Sequence, residues 1–177
     1  MHSHDYINDV TTALRGGLKL GFFAASDNHG RNPGLGGGLT GVWALENTRE
    51  SIFEAFWNRR IFATTGLRPE IRFDVNGCMM GGSAESTDLP VIHLHVRSNV
   101  PICAVEIVAD GDRCRKIGCH CAEFDIEWTD SRCESGNHFY YAHIVFEGST
   151  DILEFNQSEA YGNEAWTSPV WITYKSI

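Results

Sequence analysis

The feature that most constrains the fold is a series of segments, in the second part of the chain, that alternate apolar and polar residues. In the segment 91–97, Ile92, Leu94 and Val96 fall on one side of an extended chain, and the two histidines fall on the other. Similar segments follow, separated by turn sequences, and no helical period interrupts them. This pattern predicts an antiparallel β-sandwich domain over residues 67–177.

The first part of the chain has a different pattern, in which short apolar runs alternate with segments of helical spacing. Residues 18–26 are predicted to form a buried strand, a helix is predicted to begin after Asn47, and residues 61–65 are predicted to return as a strand. Such alternation is typical of parallel α/β units. Because closed α/β barrels need about 250 residues, we interpret residues 1–66 as the last strand-helix units of a larger α/β domain.

Composition excludes some classes of binding partner but does not decide the state of the cysteines. The net charge of −9 argues against a nucleic-acid partner and against an anionic membrane surface. No apolar run approaches the roughly 18 residues that a membrane span requires, and no segment indicates a compartment. The six cysteines allow zinc ligation, disulfides or free half-buried thiols on strands, and their irregular spacing favours the last of these.

The segment "AASDNHG" places Asp27 and His29 directly after the predicted strand. A carboxylate and an imidazole two residues apart are suitable ligands for zinc, manganese or iron. A polar turn that happens to contain a histidine is the alternative, and local chemistry alone leaves both interpretations open. Farther along, Arg60 and Arg68 are candidate contacts for an anionic substrate group. Thr65 ends the returning strand and is a candidate for a position beside the site.

Several motifs together resemble the closing section of the PHP (polymerase and histidinol phosphatase) metallohydrolases, and within them the carbaryl-hydrolase-like branch. The matches are S-D-x-H with a following Pro-Gly, T-R-x-x-I-x-E-A, R-R-x-F-A-T-T-G-x-R and V-N-G-x-x-M-G. The resemblance covers residues 5–82 and continues weakly to the end of the chain. It implies a PHP-type α/β barrel that holds divalent metal ions and hydrolyses phosphoesters, esters or amides of a small-molecule substrate. It also implies that Asp27 and His29 are metal ligands.

The chain departs from that family in one respect, since the early metal ligands of the family lie upstream of the matching section. His2 and His4 imitate an H-x-H step, but no apolar run accompanies them, and we interpret them as part of a frayed terminus or a tag. We therefore interpret the chain as a C-terminal fragment that is not a competent hydrolase alone, and we assign no catalytic residue. The alternative is a non-catalytic binding or assembly module that forms homodimers through an open α/β edge.

Overall fold

The computed structural model describes residues 10–26, 34, 37–150 and 161–176. In these ranges the chain forms two short helices and one curled, mostly antiparallel sheet of ten strands. The helices are α1, which includes residues 10–15, and α2 (Arg49–Trp57). The strands are β1 (Leu39–Val42), β2 (Ile61–Thr64), β3 (Glu70–Val75), β4 (Cys78–Met79), β5 (Ser83–Ser86), β6 (Val91–Ala109), β7 (Asp112–Thr129), β8 (Gly136–Thr150), β9 (Tyr161–Thr167) and β10 (Val170–Tyr174).

The long strands β6 and β8 explain why the sheet curls. Strand β6 pairs with β7 along most of its length, but on its other side it pairs first with β3 and then with β8. The change of partner coincides with irregularities in register between Arg97 and Ala104. Strand β8 likewise pairs with β10 at its start and with β9 at its end. Because one strand serves two sets of neighbours, the sheet bends around a single core.

The core lies on the concave face, which we call the inner face. Ile92, Leu94 and Val96 of β6 are all buried there, as the alternating pattern predicts, and they pack with Phe73 and Ile144. On the opposite, outer face, a smaller apolar cluster forms where α1 and residues 18–23 cover strands β6, β8 and β9. The sheet is therefore covered on both faces over part of its area.

The predicted fold class, α/β barrel units followed by a β-sandwich, is wrong. Strand β1 pairs antiparallel with β2, and β2 pairs antiparallel with β9, so the first part of the chain extends the same sheet as the second part. The described strands contain one parallel pair, β5 with β10. Residues 18–26, which were expected to form a strand, have no regular secondary structure. Apolar runs indicate extended or helical chain, but the direction of pairing depends on long-range hydrogen bonds that the runs do not encode.

Helix α2 begins one residue later than the sequence signal suggested. Its N-cap is Thr48, whose hydroxyl accepts a hydrogen bond from the Ser51 amide at 3.3 Å. Ala55 is the residue of α2 that is buried. Within the part of the chain that the structure describes, neither helix has the length and hydropathy that crossing a membrane would need.

All six cysteines lie in the described ranges, and each is free and half-buried. This agrees with the interpretation of the cysteines as free, half-buried thiols rather than as zinc ligands or disulfides. Burial raises the pKa of Cys114 to about 11. Burial, together with a hydrogen bond to Cys121, raises the pKa of Cys119 to about 11. Both thiols are therefore almost fully protonated at neutral pH, and neither is a candidate nucleophile.

We expect Cys114 and Cys119 to react with iodoacetamide at pH 8 roughly 10-fold more slowly in the folded chain than in the unfolded chain. At pH 8 the thiolate fraction falls by roughly 200-fold when a thiol pKa rises from about 8.5 to about 11, and the greater nucleophilicity of the more basic thiolate offsets most of that loss. Peptide-resolved mass spectrometry of the alkylated protein measures each rate. Equal rates in the folded protein and in 6 M guanidinium, roughly the concentration that unfolds most domains, would contradict the pKa directions.

Candidate functional site

Asp27 and His29, the metal ligands that the resemblance implies, lie outside the described residues. The segment that leads to them is described and is held in place by strand β1. The Ala24 amide donates a hydrogen bond to the Thr40 hydroxyl at 3.1 Å, and that hydroxyl donates to the Ala24 carbonyl at 2.7 Å. One side chain thus fixes both main-chain polar groups of Ala24, three residues before the motif.

Three glycines allow the main chain to pass very close to this segment, and we call Gly37, Gly38 and Gly66 the glycine cradle. A Cβ at Gly37 would lie 2.9 Å from the Ser26 Cα atom. A Cβ at Gly38 would lie 2.8 Å from the Ala25 carbonyl oxygen. Gly66, at the end of β2, is placed so that its Cβ would lie 3.0 Å from the Gly37 carbonyl oxygen. Only glycine fits these contacts, and Gly37 and Gly66 also have positive φ.

Two of the candidate substrate contacts lie beside the glycine cradle. Thr65 precedes Gly66, and its hydroxyl accepts a hydrogen bond from the Glu164 amide at 2.9 Å. Arg68 donates from Nη2 to the Gly34 carbonyl at 3.1 Å, which brings its exposed guanidinium to the glycine-rich segment. The structure therefore brings the end of β2 and the chain around the motif together.

Arg60, the third candidate, has a different position. Its guanidinium forms an ion pair with the Glu54 carboxylate, and its Nε atom donates to the Trp43 carbonyl at 3.2 Å. The ion pair holds the pKa of Glu54 below its ordinary value, chiefly through the hydrogen bond from Arg60. These contacts join the end of α2 to the chain after β1, and both use the guanidinium that a substrate anion would need.

A cavity of about 550 Å³ lies on the outer face, and we call it the outer-face cavity. Its walls are mainly apolar, with Phe22, Tyr141 and Trp166 contributing aromatic rings. The Phe22 and Tyr141 rings meet edge to face with their centroids 5.2 Å apart. Phe23, four residues before Asp27 in the sequence, also lines the cavity. A cavity of this size matches the few hundred Å³ that small-molecule sites usually have.

A histidine between two carboxylates forms the polar part of the outer-face cavity. His143 Nε2 lies 2.9 Å from Glu164 Oε2, and His143 Nδ1 lies 3.3 Å from Glu106 Oε2. The imidazole stacks on the Trp166 ring with centroids 4.9 Å apart and an angle of 4° between the planes. Both ring nitrogens of His143 are thus within hydrogen-bond distance of a carboxyl oxygen, and the group lies beside an apolar cavity.

Glu106 is the most strongly perturbed carboxyl of this cluster. Burial raises its pKa, but hydrogen bonds from Lys116, Arg113 and His143 outweigh the burial and lower the pKa to about 2. The Arg113 Nη1 and Lys116 Nζ atoms lie 2.8 and 2.9 Å from Glu106 Oε1. Glu106 is therefore a carboxylate at every pH at which the protein is expected to work.

Sequence reasoning did not identify Glu106, His143 and Glu164 as a group. They lie on β6, β8 and β9, and only the antiparallel pairing of these strands brings them side by side. His143 alternates with the buried residues of β8, which marks it as an outer-face residue. That alternation was the signal available in the sequence, and it does not indicate which residues on other strands would lie opposite.

The two histidines of β6 form a separate surface group. His93 is hydrogen bonded to Asp74 and Glu127, each at 3.0 Å, and the Asp74 contact chiefly raises its pKa. His95 lies 3.0 Å from Asp125. Within the described ranges, no three side chains of metal-binding type converge as a metal site would require. Both histidines form cross-strand hydrogen bonds with carboxyl groups.

The chain is similar to a protein family and to several proteins, none of which has an assigned activity. Residues 24–101 match a family described as a protein of unknown function, DUF3604. An uncharacterized protein of Chlamydia muridarum (strain MoPn / Nigg) is 26% identical over 193 residues, which is 92% of this chain and 28% of that protein. An uncharacterized protein of Chlamydia trachomatis serovar D is 26% identical over 187 residues, with the same two shares. An uncharacterized protein of Chlamydia pneumoniae is 25% identical over 196 residues, or 96% of this chain and 30% of that protein.

The chain therefore spans less than a third of the length of each of these curated relatives. No solved structure matches it.

Proposed function

We propose that this chain forms part of a metal-dependent hydrolase, acting on phosphoesters, esters or amides, and that Asp27 and His29 ligate its metal ions. The observation that carries the proposal is the glycine cradle. It packs the main chain immediately before the motif against Gly37 and Gly38, and it packs Gly37 against Gly66, which follows Thr65. A catalytic metal ligand must be placed to within fractions of an ångström, and close packing of main chain on main chain provides such placement.

The chemistry of the two side chains suits zinc, manganese or iron, because these ions accept both carboxylate and imidazole ligands. Such an ion lowers the pKa of bound water to about 7 and polarises the bond to be broken. A catalytic zinc site usually has about three protein ligands, so two from this chain are too few. The remaining ligands would come from elsewhere in a longer protein, and the relatives are more than three times as long as the region they share with this chain.

The outer-face cavity supports an organic substrate. Its walls are mainly apolar, and Phe23, which is close in sequence to the motif, is one of its lining residues. Arg68 would bind an anionic group of the substrate, because its guanidinium is exposed and donates to the main-chain carbonyl of Gly34.

The test is metal content and hydrolysis in the complete gene product that carries this chain. We expect one or more bound transition-metal ions per chain, at least a 10-fold loss of metal affinity in Asp27→Ala and His29→Ala, and loss of hydrolysis of p-nitrophenyl phosphate or p-nitrophenyl acetate. His95→Ala, which removes a histidine from the surface group on β6, is the matched control and should change neither. If both motif variants keep their metal and their activity, the proposal is wrong.

A non-catalytic assembly module is the second candidate, favoured by the large apolar side chains that α2 exposes. The expected edge of an α/β sheet is absent. Within the described sheet, however, β1 pairs with β2 on one side only, so its other side could pair with a second chain. A homodimer through that edge would appear as twice the mass of the chain, 19.7 kDa, in sedimentation equilibrium. It would dissociate when a proline replaces Thr40, whereas a monomer at all concentrations would exclude it.

A further inference from the structure

Exposed large apolar side chains are confined to one part of the molecule. In the described ranges they all lie between residues 10 and 57, and the described residues beyond 57 have none. They are Val10, Leu18, Leu20, Phe23, Leu45, Phe53, Phe56 and Trp57. Single exposed apolar residues are normal on a protein surface, but this degree of segregation is typical of an interface.

Helix α2 and the turn before it carry the two most exposed of these residues, Trp57 and Leu45. Leu45 is 91% exposed, Phe53 67% and Trp57 74%. The Phe53 and Trp57 rings stack on each other with centroids 6.3 Å apart, so they present one continuous apolar surface. We call Leu45, Phe53, Phe56 and Trp57 the α2 patch. A helix of nine residues is too short to be stable by itself in water and depends on packing of its apolar side chains.

We propose that the α2 patch is the docking surface for another region of the same, longer polypeptide, and that this region presents an apolar surface of its own. The curated relatives match nearly all of this chain but extend far beyond it, so each has several hundred residues that this chain does not contain. A region joined covalently to the chain has a high effective concentration and needs no large interface to stay docked. The proposal concerns packing and does not depend on the proposed metal chemistry.

A second copy of this chain fits the α2 patch less well. Each copy carries a net charge of −9, so two copies repel each other at low salt. The patch is also built on one short helix and one turn, which gives a small surface for a stable dimer between separate molecules.

The test compares Phe53→Ser and Trp57→Ser in two proteins, the isolated chain and the complete gene product. In the isolated chain we expect both variants to leave the unfolding midpoint unchanged, because the rings are already in water. In the complete gene product we expect amide hydrogen exchange in α2 to be at least 10-fold slower than in the isolated chain, and both variants to remove that protection. Glu46→Ser, a polar change at an exposed position in the turn before the same helix, is the control and should change neither the unfolding midpoint nor the exchange of α2 in either protein.

Three results would overturn the proposal. The first is equal exchange of α2 in the two proteins, and the second is a gene product with no residues beyond this chain. The third is a concentration-dependent dimer of the isolated chain that Trp57→Ser dissociates, which would assign the patch to a second copy. Because exchange in α2 is read without reference to metal or hydrolysis, failure here is distinguishable from failure of the proposed metal site.

Discussion

Gly81→Ala is expected to lower the free energy of unfolding by about 3 kcal/mol or more, because two separate penalties add. Gly81 has φ +87°, a conformation that an L-residue adopts only under strain. A Cβ there would also lie 2.3 Å from the Asn58 carbonyl oxygen and 2.5 Å from the Arg59 carbonyl carbon, and these main-chain atoms at the end of α2 cannot rotate away. Chemical denaturation monitored by tryptophan fluorescence measures the change.

Gly77→Ala is the matched control for this prediction. Gly77 has a similar φ of +75°, in the turn between β3 and β4, but nothing lies within 4 Å of a Cβ placed there. We expect Gly77→Ala to lower the free energy of unfolding only by the conformational penalty, about 1–2 kcal/mol. Equal costs for the two variants would mean that the end of α2 does not pack against Gly81 as the structure has it.

Lowering the pH from 6 to 3 is expected to reduce the contribution of Glu106 to the free energy of unfolding by about 2 kcal/mol. The pKa of this carboxyl is lowered from 4.5 to about 2 in the folded chain, so the unfolded chain binds a proton more readily. The contribution is therefore complete above the unfolded pKa and is lost as the pH falls from about 5 toward 2. Its side chain is only 12% exposed, so solvent screens its ion pairs little.

The measurement is the difference in unfolding free energy between the unmodified chain and Glu106→Gln, from urea denaturation at both pH values. We expect the unmodified chain to be more stable at pH 6 and most of that advantage to disappear at pH 3. Glu127→Gln serves as control, because Glu127 also contacts a histidine but is 75% exposed. A gap between the unmodified chain and Glu106→Gln that stays constant with pH would show that the cluster on the outer face does not hold Glu106 ionised.

Local features of the fold were predictable wherever one short stretch of chain decides them. The alternating pattern of β6 identified the residues that are buried on the inner face. The sequence Asp110-Gly111-Asp112 indicated a turn, and both of its first two residues have positive φ. The helix after Asn47 is present, although its cap is the next residue. In each case the cause is steric or solvation-driven and acts over a few residues.

The candidate site was predictable only in part. The resemblance implies Asp27 and His29 as ligands, which stays a prediction. The structure places Thr65 next to Gly66 of the glycine cradle and Arg68 against Gly34. Arg60 was a reasonable candidate from its charge, but Glu54 already neutralises it. The hydrogen-bonded cluster in the outer-face cavity was not identified at all, because its members come from three strands that are distant in sequence.

The sequence by itself determined that the second part of the chain is mostly extended, which residues of β6 face the core, and that the chain turns at Asp110-Gly111. Those properties follow from side-chain period and backbone sterics, which act within a few residues. Only the tertiary structure decided that β1 and β2 join the same antiparallel sheet as the later strands, and that β6 and β8 are shared between two sets of neighbours. It also decided which polar groups meet on the outer face. The reason is that every strand offers the same row of main-chain donors and acceptors, so the partner and its direction are chosen by packing of the whole chain.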